Sequence, residues 1–357
     1  MWKQAANLFL RSALVFASVL HAGALELPVR LDYPSKVTDV VLTGVENAEV
    51  VFRPTGRDTG GRAYISFDNL LEEGASLYFM FPEEFYDAVG QLKRGSALAA
   101  LPIIRRETRP FLDVMELSAL PGNHLPAVYA YVEALEAAQM WGEAVEVALS
   151  IPLAQAPPAA LERIGALSHA LDKVDEAELT DQLHAHILSP SDYPRQHLVQ
   201  LMQLADEWRE SGVHGKAYSL YRKVEISASP LQTRARLWVA YCSFYLEEAI
   251  VPERLLDDLP EVDFKTPDYS LRELIRARLR MREGEYDAAM RSAAVGKTYA
   301  SPTDSWYPEL LFILATLYDG FAMESASEAA HRELSLLFPS SQWAAQSLQI
   351  LGNQTEN

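Results

Sequence analysis

The sequence predicts a mostly α chain, a solenoid of about six to seven two-helix hairpins preceded by a small all-β barrel or meander. Three observations predict it. Residues 25–81 hold short β-branched and aromatic runs separated by turn residues. From residue 82 the texture turns rich in Ala, Leu and Glu, and the apolar spacing becomes helical. Small residues then recur at separations of roughly 33 to 41 residues, the period of stacked helical hairpins.

Residues 1–24 come first. Lys3 and Arg11 precede the apolar run Ser12 to Leu20, which ends in Ala22-Gly23-Ala24. A charged start, a short apolar core and small residues at the end form the pattern of a secretory signal peptide. The run is short for a bilayer core of ~30 Å, so no stable membrane insertion is expected after cleavage. Position 25 is Leu and the only cysteine is Cys242, so no lipid-anchoring Cys follows the site. The expected location is the periplasm. With one cysteine, an intrachain disulfide is impossible, and the exported domain must hold itself by packing. Cys242 sits in the apolar run WVAYCSFYL and reads as an inert core residue.

Residues 25–81 come next as the β module. KVTDVVL, AEVVFRP, RAYISF and ASLYFMF read as strands, and TGVEN, TGRDTGG and DNLLEEG as the turns between them. Four or five strands in so short a span bury little, so the module is expected to dock on the helical part C-terminal to it.

The helical part covers 82–351, with a disordered tail at 352–357. Helices are expected near 82–94, 96–108, 123–139, 141–150, 158–171, 174–188, 194–211, 214–226, 230–248, 252–259, 268–283, 285–299, 304–320, 323–337 and 341–351. Pro, Gly and Ser mark the breaks between them. The stretch ADEWRESGVHGKAYSLYRK, residues 205–223, shows the unit best. Gly212 ends one helix in a left-handed cap, and Ala217 is small because two helices cross closely there. The same small position is expected at Ala144, Ala177, Ala289 and Ala330, with Arg254 in its place in one unit.

Leu201, Leu204, Ala205, Trp208, Gly212, Ala217, Tyr221, Val224 and Pro230 occur in the order and spacing of a tetratricopeptide repeat, and this unit resembles that family. The unit around 273–302 matches in part, through Ala277, Gly284, Tyr286, Ala289, Ala293 and Pro302. The strand-rich module running into FMFPEEFYDAVGQLKRGSALAALPIIRRETRPF resembles exported tetratricopeptide proteins of Gram-negative bacteria of the Verrucomicrobia type. That resemblance implies an envelope compartment and a protein partner, beside a proton-driven complex of the ExbB/ExbD or Tol kind. It implies no catalytic residue.

The net charge of −18 excludes nucleic acid and an anionic membrane surface as partners; losing Lys3 and Arg11 makes it −20. Motifs for chemistry fail one by one. Gly296-Lys297-Thr298 lacks the Gly five residues before Gly296, where Arg291 stands, and lacks a preceding strand. TGRDTGGR reads as a hairpin tip whose Arg57 and Arg62 can touch an acidic partner. His184 and His186 are two apart on a helix and point away from each other. Glu324-Ser325 evokes the pair used by lytic transglycosylases, but MESASEAAHRELS carries no Gly-rich stretch, so Glu324 is expected to start a helix. The neighbouring acids Glu72-Glu73, Glu83-Glu84, Glu247-Glu248 and Asp257-Asp258 point to different faces. No cofactor or metal is expected.

The remaining signal is aromatic. Trp141, Trp208, Trp238, Tyr241, Phe244, Tyr245, Trp306 and Tyr307 lie in the repeats, either as packing between helices or as anchors in a peptide groove, and four are singled out: Trp208, Trp238, Tyr241 and Trp306. With Arg57 and Arg62 they are the candidate partner-binding residues. The leading expectation is a non-enzymatic protein-binding scaffold; the alternative is an envelope protein acting on peptidoglycan or glycan.

Overall fold

The structure is a computed structural model that describes residues 26–47, 49–55, 61–246 and 259–355, with side chains up to Leu351. The expected signal segment at 1–24, Arg57, Arg254, Glu247-Glu248, Asp257-Asp258 and the expected helix at 252–259, apart from its last residue, lie outside the described residues. The chain divides into two compact units, one ending at Gln155 and one starting at Ala156. The expected switch from strand to helix near residue 82 falls inside the first unit.

The first unit shows why. Strands β1 (Leu27–Tyr33), β2 (Lys36–Glu46), β3 (Glu49–Pro54), β4 (Ala63–Ser66) and β5 (Ser76–Phe79) form one antiparallel sheet in the order β4-β3-β2-β1-β5. β4 and β5 are its edges, so the module is an open meander and not a closed barrel. Leu27 faces Leu42, Val29 faces Val40 and Phe79, and Leu42 faces Phe52 across the ladders. These residues make one apolar face, as the period-two pattern dictates.

Two elements that the sequence reading passed over cover that face. α1 (Phe67–Glu72) lies where a turn was expected, and a 3-10 helix runs over Arg109–Ala119. Ser66 caps α1 by accepting from the Asn69 amide at 3.2 Å. Leu70, Phe111, Val114 and Leu117 from these elements share the core of Val29, Leu31 and Phe52. The sheet cannot close its core without residues beyond 82, which is why it belongs to one unit with the helices after it. Asn123 fixes the join. The Phe79 amide donates to its Oδ1 at 2.8 Å and its Nδ2 donates to the Phe79 carbonyl at 2.9 Å. Beside it a Cβ on Gly122 would lie 2.0 Å from the Leu77 carbonyl oxygen, so only glycine fits.

Four helices complete this unit: α2 (Glu83–Lys93), α3 (Ala97–Thr108), α4 (His124–Ala137) and α5 (Trp141–Leu149). The second unit holds α6 (Ala159–Lys173), α7 (Ala177–Leu188), α8 (Leu198–Glu210), α9 (His214–Glu225) and α10 (Gln232–Ser243). It continues with α11 (Pro267–Arg282), α12 (Tyr286–Tyr299), α13 (Tyr307–Gly320), α14 (Glu324–Leu337) and α15 (Gln342–Thr355). α15 continues to Thr355, so the tail expected at 352–357 is largely helix. α10 ends at Ser243, short of the 248 expected.

Six complete hairpins are present among the described residues: α2/α3, α4/α5, α6/α7, α8/α9, α11/α12 and α13/α14. Each turns through one residue in the left-handed region: Gly95, Gln139, Asp175, Gly212, Gly284 and Ala322, with φ between 56° and 84°. The hydrogen bonds are those of a Schellman cap each time. In the α8/α9 turn, for example, the Gly212 amide reaches the Arg209 carbonyl at 3.1 Å and the Val213 amide reaches that of Trp208 at 2.7 Å. The reading of Gly212 as a left-handed cap between paired helices holds.

The small residue sits five positions after each such turn: Ala100, Ala144, Thr180, Ala217, Ala289 and Ser327, all buried. Two expected positions are thereby corrected. Ala177 is exposed at the start of α7, and Thr180 fills its place. Ala330 is buried, but it lies one turn past the crossing residue Ser327. Compositional alignment missed both because the turns differ in residue type while sharing backbone geometry.

The left-handed conformation costs a non-glycine L-residue roughly 1 kcal/mol. Ala322→Gly and Gln139→Gly should each raise unfolding free energy by about 0.5–1 kcal/mol in urea titrations. Gly212→Ala should lower it by about 1 kcal/mol, since an added Cβ meets nothing within 4 Å and only the backbone resists.

Candidate functional site

Two open clefts lie on the described surface of the second unit, and first helices of hairpins contribute to both. The first, about 460 Å³, lies between α6 and α8 and carries Glu162, His169, Glu207 and Glu210. The second, about 690 Å³, lies between the end of α10, α11, α13 and α15. α15 follows a complete hairpin, so it stands where another first helix would stand. In this second cleft Tyr245, Phe312 and Trp343 supply aromatic surface, and Arg278 and Arg282 supply charge.

Arg278 is held from behind. Its Nε donates to Glu309, which is 3 % exposed, and Glu309 also accepts from the Tyr241 hydroxyl at 2.8 Å. The guanidinium lies 5.5, 5.6 and 5.2 Å from the ring centres of Tyr241, Tyr245 and Trp343. Burial, with Glu309 beside it, raises the Tyr241 hydroxyl above its usual range, so it stays a neutral donor. A buried carboxylate held by an arginine and a tyrosine from two other helices ties α10, α11 and α13 together.

The sequence-predicted aromatics have a different place from the one a groove requires. Trp208, Trp238, Tyr241 and Trp306 are all buried, Trp238 to 1 % exposure. The expectation that they anchor a partner is corrected: they pack helix against helix. Arg209 stacks over Trp238 at 3.9 Å, Trp238 meets Trp306 edge-on at 5.8 Å, and Trp306 donates to the Ser270 hydroxyl at 2.9 Å. A 3.6 period marks these residues as apolar-face members but does not distinguish interior from cleft. Arg62 is exposed in the first unit, 3.8 Å from Glu46. Of the residues that line the second cleft, Phe244 and Tyr245 belong to the aromatic signal; the others were missed because they come from separated elements. Their one signal was the run RELIRARLRMR, strongly basic in an acidic chain.

Other chemistry-bearing groups are engaged internally. Ser168 and His184, 2.7 Å apart, resemble a nucleophile and its base. Their tautomer rules that out. Lys216 lies 2.8 Å from His184 Nδ1 and has only hydrogens to give, so Nδ1 accepts and Nε2 bears the proton. Nε2 therefore donates to the serine oxygen and cannot take its proton. His186 is half-buried and His184 buried, as expected of residues two apart on a helix. Gly296 lies inside α12, where a Cβ would come within 2.9 Å of Leu310; it serves close helix packing, and Lys297 pairs with Glu333 at 2.9 Å. Glu324 opens α14, as its position beside the helix dipole demands. Burial pushes the Cys242 thiol up to about 12, an inert state. Among the described residues no group of three or more His, Cys, Asp or Glu could hold a metal ion, and no helix is long and apolar enough to cross a membrane.

No protein-family model matches the chain, and no curated relative matches it. Two solved structures are similar to it at low level. One is pilF of Pseudomonas aeruginosa, at 14 % identity and a TM-score of 0.35, covering 77 % of this chain and 96 % of that one. The other is the C-terminal part of a TPR repeat-containing protein from Cytophaga hutchinsonii, at 14 % identity and 0.37, covering 74 % and 99 %.

Burial lowers His124 to about 4, and burial together with the Lys216 charge does the same to His184. In the unfolded chain both titrate near 6.5. Their contribution to stability is thus full above pH 6.5 and is lost as the pH falls toward 4, because the unfolded state binds protons first. The free energy of unfolding in urea should fall steadily from pH 7 to pH 5, and His124→Phe should remove part of that slope; burial also lowers His214 and His331, which carry the rest with His184.

Proposed function

We propose that the chain is a non-enzymatic protein-binding scaffold, exported to the periplasm, that works beside a proton-driven envelope complex of the ExbB/ExbD or Tol kind. The observation that carries the binding role is that first helices line both open clefts of the second unit, with side chains of opposite charge character in each. Stacked hairpins bury one another's apolar sides and present the remaining helix faces for recognition. The ionisable groups that resemble catalytic pairs are engaged in structural hydrogen bonds. The export part of the reading is supported by the charged, apolar and small-residue order of residues 1–24.

A second reading is favoured by one feature. Tyr245 and Trp343 offer aromatic faces in an open cleft, a surface on which sugar rings also stack. A glycan-binding envelope protein would use it so.

Affinity capture with the full chain from envelope extracts at modest salt should recover a stable protein partner in stoichiometric amount. Recovery of none, with co-sedimentation of the protein on purified sacculi, would replace the scaffold with the glycan reading.

A further inference from the structure

We infer that the cleft between α10, α11, α13 and α15 binds an extended polypeptide segment in which Asp or Glu side chains alternate with large apolar residues. This rests on the protein-binding reading above and names the chemistry of the partner. The chain as a whole carries −18, which repels an acidic ligand. Local charge is opposite here. α11 places five arginines within Pro267–Arg282, and two of them, Arg278 and Arg282, line the cleft one helical turn apart. Among the described residues lining the cleft none is acidic. The carboxylate behind it, Glu309, is buried and already engaged by Tyr241 and Arg278.

The cations are also pre-placed. Glu309 and the rings of Tyr245 and Trp343 hold the Arg278 guanidinium in position before any ligand arrives, which reduces the ordering cost of binding. A fixed guanidinium fork matches a carboxylate in two parallel hydrogen bonds. Phe312 and Trp343, 5.2 Å apart between ring centres, offer apolar contact next to it. A free inorganic anion would leave those rings unused, and a purely apolar chain would leave the exposed Arg282 without a counter-charge. An extended chain alternating acidic and apolar side chains brings a group for each. The α6/α8 cleft makes the contrast: Glu162, Glu207 and Glu210 there reject the same ligand.

The test uses the full chain and a fluorescein-labelled octapeptide alternating Glu and Phe, capped at both ends, read by anisotropy at low salt. Binding should be saturable and weaken at least tenfold when Gln replaces Glu in the peptide. Arg278→Gln strands Glu309 and risks unfolding, so exposed Arg282 carries the test. Arg282→Gln should weaken binding about fivefold and Arg282→Glu about twentyfold, with unchanged circular dichroism. Glu178→Gln, exposed on the second helix α7, should leave binding unchanged. Equal binding of a capped all-apolar peptide, or no effect of either Arg282 variant, overturns the inference. So does a concentration-dependent dimer abolished by Arg282→Glu, which would assign the cleft to a second copy. If affinity capture yields a partner that Arg282→Glu holds as well as the wild type, this assignment falls while the scaffold reading stands. If capture yields nothing, that reading falls first.

Discussion

The whole helical architecture depends on one backbone constraint: each hairpin turns through a single residue in the left-handed region. That residue ends the first helix, satisfies its last carbonyls and sets the start of the second. The residue before the second helix then adopts nearly one conformation in all six cases, with φ from −96° to −83° and ψ from 51° to 61°. Because this geometry repeats, the buried crossing residue falls at one fixed offset, and only a small side chain or a threonine stands there. The gap from Gly212 to Gly284 is about twice the usual spacing, which matches α10 being the first helix of an intervening unit. Uniform turns bring first helices alongside one another, and the clefts arise from that.

Within the second unit, buried polar groups set the register between hairpins. Glu309 joins three helices; His184 joins Ser168 on α6 to Lys216 on α9; Arg209 joins Tyr221 and Ser305. Each buried polar atom so engaged avoids a cost of about 1–3 kcal/mol, and removing one partner exposes that cost. Such contacts specify which helix meets which, a task that uniform apolar faces perform poorly. The same engagement makes these groups poor catalysts. A histidine whose proton faces the serine oxygen has no base to offer.

The sequence made most of the helical part legible. Gly95, Gly212 and Gly284 announced three turns directly, and Pro and Ser clusters marked the breaks between pairs. Gln139, Asp175 and Ala322 hid the other turns, since nothing in their composition signals a positive φ. α1 was read as a turn because Asp68-Asn69 favours turns; the Ser66 cap and Gly74 behind it were the overlooked helix signals. The 3-10 helix begins at Arg109-Pro110 and has a non-helical residue at Val114, so its apolar period is broken. For the candidate site, aromatic density included Phe244 and Tyr245, which line the cleft, but the four aromatics singled out from it do not. Burial of Trp208, Trp238, Tyr241 and Trp306 is a tertiary fact, set by what packs over them. The cleft itself needs Tyr245, Arg278, Phe312 and Trp343 from four elements, and no local pattern brings those together.

Hydrogen–deuterium exchange of the full chain, free and with a captured partner, tests the central claim most directly. Recognition by first-helix faces predicts that new protection concentrates along one cleft, α10, α11, α13 and α15 or else α6 and α8, and spares α7, α9, α12 and α14. Protection confined to the second helices, or to the sheet alone, would contradict it.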